Sequence, residues 1–309
     1  MKTYKYPYFD AHCDTISAGL DLRKNLGHVD LERGTRFPHY AQLFAIFADA
    51  QTTRYMVAEC RRQRERFVSE TEKNSDIVMV CRTGKDLDNA EKSGKIAAIQ
   101  SIEGGELLGC EPAMLNTAKE WGVRSINLTW NHANALSGSN CDEAERGLSP
   151  VGREFVRRAQ ELNILMDVSH VSDRGFYDLL DITEKPIIAS HSDSRELCPR
   201  RRNLTDEMFK EIMATGGCVG INLYYHFIGR NNLIDDVLAH IERFLDLGGE
   251  KHVGFGCDFD GCDELPDGIE GIESMELIAE AMERKNYSST LIEDIFYNNM
   301  RRLIFKGEE

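Results

Sequence analysis

Apolar residues in this chain gather into short continuous runs, separated by longer stretches in which they recur at helical spacing. The run Ile164-Leu165-Met166 continues through Asp167, Val168 and Ser169 to His170, and Pro186-Ile187-Ile188-Ala189-Ser190 ends at His191. Between them, Phe176, Leu179 and Leu180 repeat at helical spacing behind the start signals Ser172 and Asp173, the mark of a helix with one apolar face. Strand, helix, strand in this order predicts parallel neighbours in one sheet, because a parallel return needs a crossover. Both histidines then stand at the carboxyl ends of adjacent strands, the edge where loops converge on ligands in α/β folds.

The same alternation runs from end to end. Tyr8–His12, Gln42–Phe47, Ile96–Ile102, Val123–Thr129, the two histidine-ended runs, Cys218–Leu223 and His252–Cys257 read as eight strands. Ile77–Val80 reads as a short extra strand outside them. Helices are predicted at Thr53–Glu72 (Tyr55, Met56, Cys60, Phe67 and Val68 as the inner stripe), Leu87–Lys92, Pro112–Trp121, Pro150–Leu162, Asp206–Thr215, Leu233–Leu247, Ser274–Arg284 and Ser288–Phe296. Ser149-Pro150 pairs an N-cap serine with proline at the first helical position. Gly216-Gly217 and Gly248-Gly249 follow helix ends, where a residue without Cβ relieves the left-handed turn. Eight strands, most followed by a helix, predict an α/β chain folded as a (β/α)8 TIM barrel, with residues 1–309 forming a single domain.

Charge and composition narrow the partners. The formal net charge is −15, and no basic stripe offsets it, so a nucleic-acid partner is not expected. Arg61, Arg62, Arg64 and Arg66 alternate with Glu59 and Glu65 and read as a solvated helix face. No apolar run approaches the roughly 20 residues of a membrane span. Lys2 and Lys5 precede no apolar segment, and Lys306–Glu309 carries no hydrophobic tail; neither a signal peptide nor a lipid anchor is expected, and no membrane. The nine cysteines have no CxxC spacing, which fits a reduced, cytoplasmic protein.

Chemistry-bearing residues gather at the predicted strand ends. His12 and Asp14 lie two apart, so an extended segment projects both to one face. Glu103 is followed by Gly104-Gly105, which lets the backbone turn sharply and other groups approach. His170, His191 and Asp258 end three further strands. Singly, each reads as well as a satisfied strand-end histidine or a solvated turn carboxylate. Together they fall at one edge of one barrel, and three histidines, two aspartates and one glutamate suit two metal ions better than one. Arg200, Arg201 and Arg202 leave the same edge, where a guanidinium can fork onto a substrate carboxylate.

In its motifs the chain resembles the membrane (renal) dipeptidase family of zinc peptidases, which are amidohydrolase-like barrels. The matching pieces are Asp10-Ala-His-Cys-Asp14, Glu103-Gly-Gly105, Asp167-Val-Ser-His170, Ser190-His-Ser192, Arg201-Arg-Asn203, Gly254-Phe-Gly-Cys-Asp-Phe-Asp-Gly261 and Asn299-Met-Arg301, in family order over essentially the whole chain. The resemblance implies a zinc dipeptidase with two Zn2+ per chain. His12 and Asp14 would hold one ion and His170 and His191 the other, with Glu103 bridging. A hydroxide between the ions would attack, and Asp258 would pass its proton to the leaving amine. Arg202, directly before Asn203, matches the position that binds the substrate's C-terminal carboxylate, and both residues are expected at the substrate. Where the family's fourth strand commonly ends Leu-Thr-His, this chain has Leu128-Thr129-Trp130; His132, two residues on, is the candidate to polarise the scissile carbonyl. Manganese or cobalt can share such a nitrogen and oxygen site. The alternatives are another binuclear amidohydrolase acting on an N-acyl amino acid or related amide, and a barrel that binds a ligand without turnover. The expected partners are a small-molecule dipeptide and, as an assembly, a homodimer.

Overall fold

The computed structural model describes residues 3–306 apart from 230 and 232; Lys2 and Gly307–Glu309, on which part of the terminal reading rests, lie outside the described residues. The strands are β1 (Tyr8–Cys13), β2 (Tyr40–Phe47), β3 (Val78–Val80), β4 (Ile96–Glu103), β5 (Val123–Asn127), β6 (Leu165–Asp167), β7 (Ile188–Ala189), β8 (Cys218–Ile221) and β9 (Val253–Phe255). The sheet runs β2-β1-β9-β8-β7-β6-β5-β4-β3, and a β2–β4 pairing closes it. Every ladder between these strands is parallel. β3 pairs only with the start of β4, Val78 opposite Ile96 and Val80 opposite Ala98, ahead of the point where β5 joins at Gln100. It therefore stands outside a closed eight-stranded α/β barrel, the predicted TIM architecture.

The predicted caps form as the chemistry requires. Ser149, Ser172 and Thr205 each accept a backbone N–H three residues on, from Gly152, Gly175 and Met208, which satisfies donors left over at a helix start. Two local expectations change. The helix after β2 is Met56–Lys73, so Tyr55 precedes it and is exposed, while Cys60 and Phe67 are buried. Arg64 and Arg66 do not lie in a solvated face. They are half-buried and donate to the carbonyls of Trp121 and Leu20, because their long stems can cover apolar surface while the head finds an acceptor.

One buried cluster joins Phe9 and Ala11 of β1, Leu43 of β2, Ile99 of β4, Leu165 of β6 and Cys218 of β8 to Tyr297, Met300, Leu303 and Ile304. The last helix, Asn299–Ile304, thus plugs the barrel at the strand starts. Each large apolar side chain so buried contributes about 1.5–3 kcal/mol. Arg124 locks the plug by donating from Nε and Nη2 to the Ile304 carbonyl at 3.2 and 3.0 Å. That leaves the opposite end, at the strand carboxyl ends, open. Among the described residues no helix is long and apolar enough to cross a membrane.

Candidate metal centre

The open end of the barrel collects the five residues expected there as metal ligands. Glu103, the last residue of β4, sends its two oxygens to different partners. Oε2 lies 3.4 Å from His12 Nε2, while Oε1 lies 2.9 Å from His170 Nε2 and 3.4 Å from His191 Nε2. His12 Nε2 is also 3.4 Å from Asp14 Oδ2 and 3.8 Å from Asp258 Oδ1. The Nε2 atoms of His170 and His191 are 2.9 Å apart. His12 with Glu103 and His191, and His12 with Asp14 and Asp258, form sets whose donor atoms all lie within 4.8 Å of one another. Asp258 thus stands against the ligand set.

The strands stop short of the histidines. Ladder pairing ends at Asp167 in β6 and Ala189 in β7, although the runs were expected to carry strand to His170 and His191. The N–H groups of Ser169 and Ser190 turn to the Asp167 carboxylate instead, both at 3.0 Å; a side-chain acceptor has displaced the ladder. His170 and Asp258 adopt left-handed backbone, φ 70° and 61°, a region uncommon for residues with a Cβ although His and Asp enter it more readily than most. At Gly261 a Cβ would fall 2.1 Å from Asp14 Oδ2 and 2.6 Å from Asp258 Oδ1, so only glycine admits the two carboxylates there.

The donor chemistry fits divalent cations. His170 Nδ1 lies 3.0 Å from Asn131 Oδ1 and His191 Nδ1 lies 2.7 Å from Ser190 Oγ. With Nδ1–H donating outward, each ring turns an Nε2 lone pair inward. Burial holds both imidazoles well below their ordinary pKa, hence neutral. Burial also pushes the carboxyls of Glu103 and Asp258 upward: the closed site disfavours their unneutralised charge. His12 Nε2 is buried with no hydrogen-bond partner among the described residues. A ring nitrogen without a bond, among inward lone pairs and crowded carboxylates, is the environment a cation completes.

A cavity of about 790 Å³ opens above these groups, walled by Phe47, Trp130, Tyr224 and Phe227 with Asp49 and Asp263. The remaining expected site residues fall around it at different depths. Arg202 is buried behind His191, donating from Nη1 to Ser192 Oγ at 2.7 Å and from Nη2 to the His191 carbonyl at 2.8 Å. Asn203 donates from Nδ2 to the carbonyls of Cys198 and Phe227 and ties that loop together. His132 sits at the rim, Nδ1 3.2 Å from Gln51 Nε2 and Nε2 3.4 Å from Asp49 Oδ1. Trp130, 6.3 Å from the His170 ring, faces the cavity in its stead. Two residues escaped the sequence reading. Asn131 lies in the polar stretch that leaves strand four, a signal too general to single it out. Asn222 follows an apolar strand with no signal at all.

A model of the membrane dipeptidase family, peptidase family M19, matches residues 3–309. The chain belongs to this family. It is 32% identical over 313 residues to an uncharacterized dipeptidase of Schizosaccharomyces pombe, covering 94% of this chain and 75% of that protein. Among solved structures, dipeptidase AC, a metallo peptidase of family M19, superposes with a TM-score of 0.87 at 25% identity, covering 98% of this chain and 99% of its own. A metallo peptidase from Rhodobacter sphaeroides, solved with a phosphinate mimic of the dipeptide L-Ala-D-Ala, gives 0.83 at 25% identity, covering 97% and 98%. The probable dipeptidase PvdM of Pseudomonas aeruginosa shares the fold, with a TM-score of 0.88 at 19% identity over 98% and 95%. As a member of the membrane dipeptidase family the chain is a metallo-dipeptidase, a hydrolase whose chemistry calls for a divalent metal.

Proposed function

We propose that this member of the membrane dipeptidase family hydrolyses dipeptides with two zinc ions, one held by His12 and Asp14, the other by His170 and His191, and both by Glu103. The observation that carries this reading is the division of Glu103, with Oε2 toward His12 and Oε1 toward the other two histidines. A carboxylate that faces two ligand groups with separate oxygens suits a pair of cations. When bound, such ions supply Lewis acidity and lower the pKa of water.

The chain's own residues do the rest. Asn222 donates from Nδ2 to Asp258 Oδ2 at 3.2 Å, which leaves Asp258 Oδ1 toward the centre, where it takes a proton and returns it to the leaving amine. Arg202 Nε is buried with no partner among the described residues, so part of the guanidinium stays available for the substrate's C-terminal carboxylate. Asn203 supports Arg202 through the loop it ties, and its Oδ1, buried without a partner among the described residues, leaves it a place at the substrate. The aromatic wall of the cavity excludes water around a small ligand. All nine cysteines are free, which supports a cytoplasmic setting, and we assign residues 1–309 to one domain.

The test is a panel of dipeptides, their C-terminal amides and N-acyl amino acids, offered to zinc-loaded protein. Turnover confined to free dipeptides is the expected result. Preference for N-acyl amino acids would move the chain to the broader amidohydrolase reading.

A further inference from the structure

Two of the barrel's strand junctions are the thinnest, with one registered pair each against two at β7–β8 and three or more at the others. β2 and β4 share seven registered pairs, from Ala41 opposite Ala97 to Phe47 opposite Glu103. By contrast β1 meets β9 through the single pair Asp10 and Phe255, resuming only as a lone bridge from Cys13 to Phe259 past the end of β9, and β6 meets β7 through the single pair Asp167 and Ile188. In both places one member of the pair is an aspartate. Both aspartates are buried, at 0% and 2% exposure.

Each spreads one carboxylate oxygen over two backbone N–H groups on opposite strands. Asp167 Oδ1 accepts from Ser169 and Ser190 at 3.0 Å each, the residues just before His170 and His191. Asp10 Oδ1 accepts from His12 at 3.2 Å and from Cys257, just before Asp258, at 3.0 Å; its Oδ2 accepts from the Tyr8 hydroxyl at 2.9 Å. Where a ladder would have kept two strand ends parallel and extended, a charged acceptor holds them close and lets both turn. The turns so released carry His170 and Asp258, the left-handed residues of the centre.

We propose that Asp10 and Asp167 are positioning residues that set the two halves of the metal centre separately, Asp167 fixing His170 against His191 and Asp10 fixing His12 against the segment carrying Asp258. This rests on the two-ion reading above. It assigns to each carboxylate an effect on one ion and not on the other, which a general contribution to folding would not produce.

The experiment titrates zinc into metal-free wild type and variants, counts ions per chain by elemental analysis and records thermal melting. Asp167→Ala should hold about one zinc fewer than wild type, and should remove none further from His170→Ala. Asp10→Ala should likewise remove none further from His12→Ala. Neighbours acting through one ion are non-additive in this way, while independent sites add. Asp167→Asn and Asp10→Asn keep an oxygen acceptor but lose its charge. Each should weaken one of the two ions by roughly 10- to 100-fold and leave the other unchanged. Should the alanine variants not fold, the asparagine variants decide. Equal weakening of both ions, or unchanged affinity for both in a chain that binds two, overturns the proposal while the two-ion reading stands. Fewer than two ions in wild type overturns both.

Discussion

Asn222 Nδ2 lies 3.2 Å from Asp258 Oδ2, and the amide that makes this bond is itself fixed. The Asn222 backbone N–H donates to Asp193 Oδ1 at 3.2 Å, and Asn222 Oδ1 accepts from the Tyr224 N–H at 2.6 Å. One oxygen of Asp258 is therefore tethered, and the other points toward His12 Nε2 at 3.8 Å. On the proposed reading that second oxygen carries the proton. Asp258→Asn preserves shape but removes the acceptor, so kcat should fall by roughly 100-fold or more with zinc content retained. Steady-state kinetics alongside elemental analysis checks this; near-normal turnover would give the proton transfer to another group.

Metal removal should be visible in stability as well as activity. Ions that bind only the folded chain stabilise it by mass action, about 4 kcal/mol for each site at 1,000 times its Kd. Chelated protein should melt at a lower temperature and recover when zinc is restored to about two equivalents. His170→Ala should recover with about one. An unchanged melting curve after complete chelation would mean that the clustered carboxylates and imidazoles hold together without cations.

Strand positions and caps were readable from sequence because they follow local rules. An apolar run of four to eight residues has few alternatives, and Ser149, Ser172 and Thr205 act within one turn of themselves. The gathering of His12, Asp14, Glu103, His170, His191 and Asp258 was readable too, since a parallel barrel delivers all strand ends to one edge. What stayed hidden depends on partners far along the chain. Nothing near Asp167 says that its carboxylate will take the Ser190 N–H from β7 and end the ladder early. Nothing near His132 announces Asp49, nor near Asn222 the carboxylate of Asp258. Arg64 and Arg66 read as solvated because their acceptors, the carbonyls of Trp121 and Leu20, are main-chain groups that no pattern marks.

His132 makes a prediction by its surroundings. Its ring nitrogens face Gln51 and Asp49 at the rim, and the side chains of His132 and Asp49 are 28% and 29% exposed. These contacts of its ring nitrogens are at the rim rather than with the metal-ligand set, so His132→Ala should change kcat/KM by less than about fivefold. A loss of about 100-fold or more would instead mean that the ring swings inward to polarise the scissile carbonyl. Trp130, which lines the cavity with its ring tilted beside that of His170 at 6.3 Å, should be the more sensitive of the two, and comparing Trp130→Ala with His132→Ala on one dipeptide settles their order.

Arg202 tests the difference between a dipeptidase and a general amidase. It is 5% exposed, with Nη1 on Ser192 Oγ and Nη2 on the His191 carbonyl, and its guanidinium sits 5.6 Å from the Phe227 ring. Two roles are open to a cation so placed: binding the substrate's terminal carboxylate, and holding the His191 turn. Arg202→Met removes both. If the first dominates, truncation leaves the substrate's anion unpaired in a closed site, at about 2–5 kcal/mol, or roughly 30- to several-thousand-fold in kcat/KM for free dipeptides. A C-terminal amide, already a poor substrate, should barely change. Zinc content should hold, because the backbone N–H groups of Ser190 and His191 are also bonded, to Asp167 and to Ser169 Oγ. Arg200 and Arg201 are exposed, and Arg201 pairs with an exposed Glu145 at 3.2 Å, so the same replacement there should have little effect. Equal losses for dipeptide and amide, accompanied by loss of one zinc, would show that Arg202 acts through His191. A wild-type enzyme that cleaves a dipeptide and its amide equally well has no carboxylate clamp, and its substrate class widens to amides.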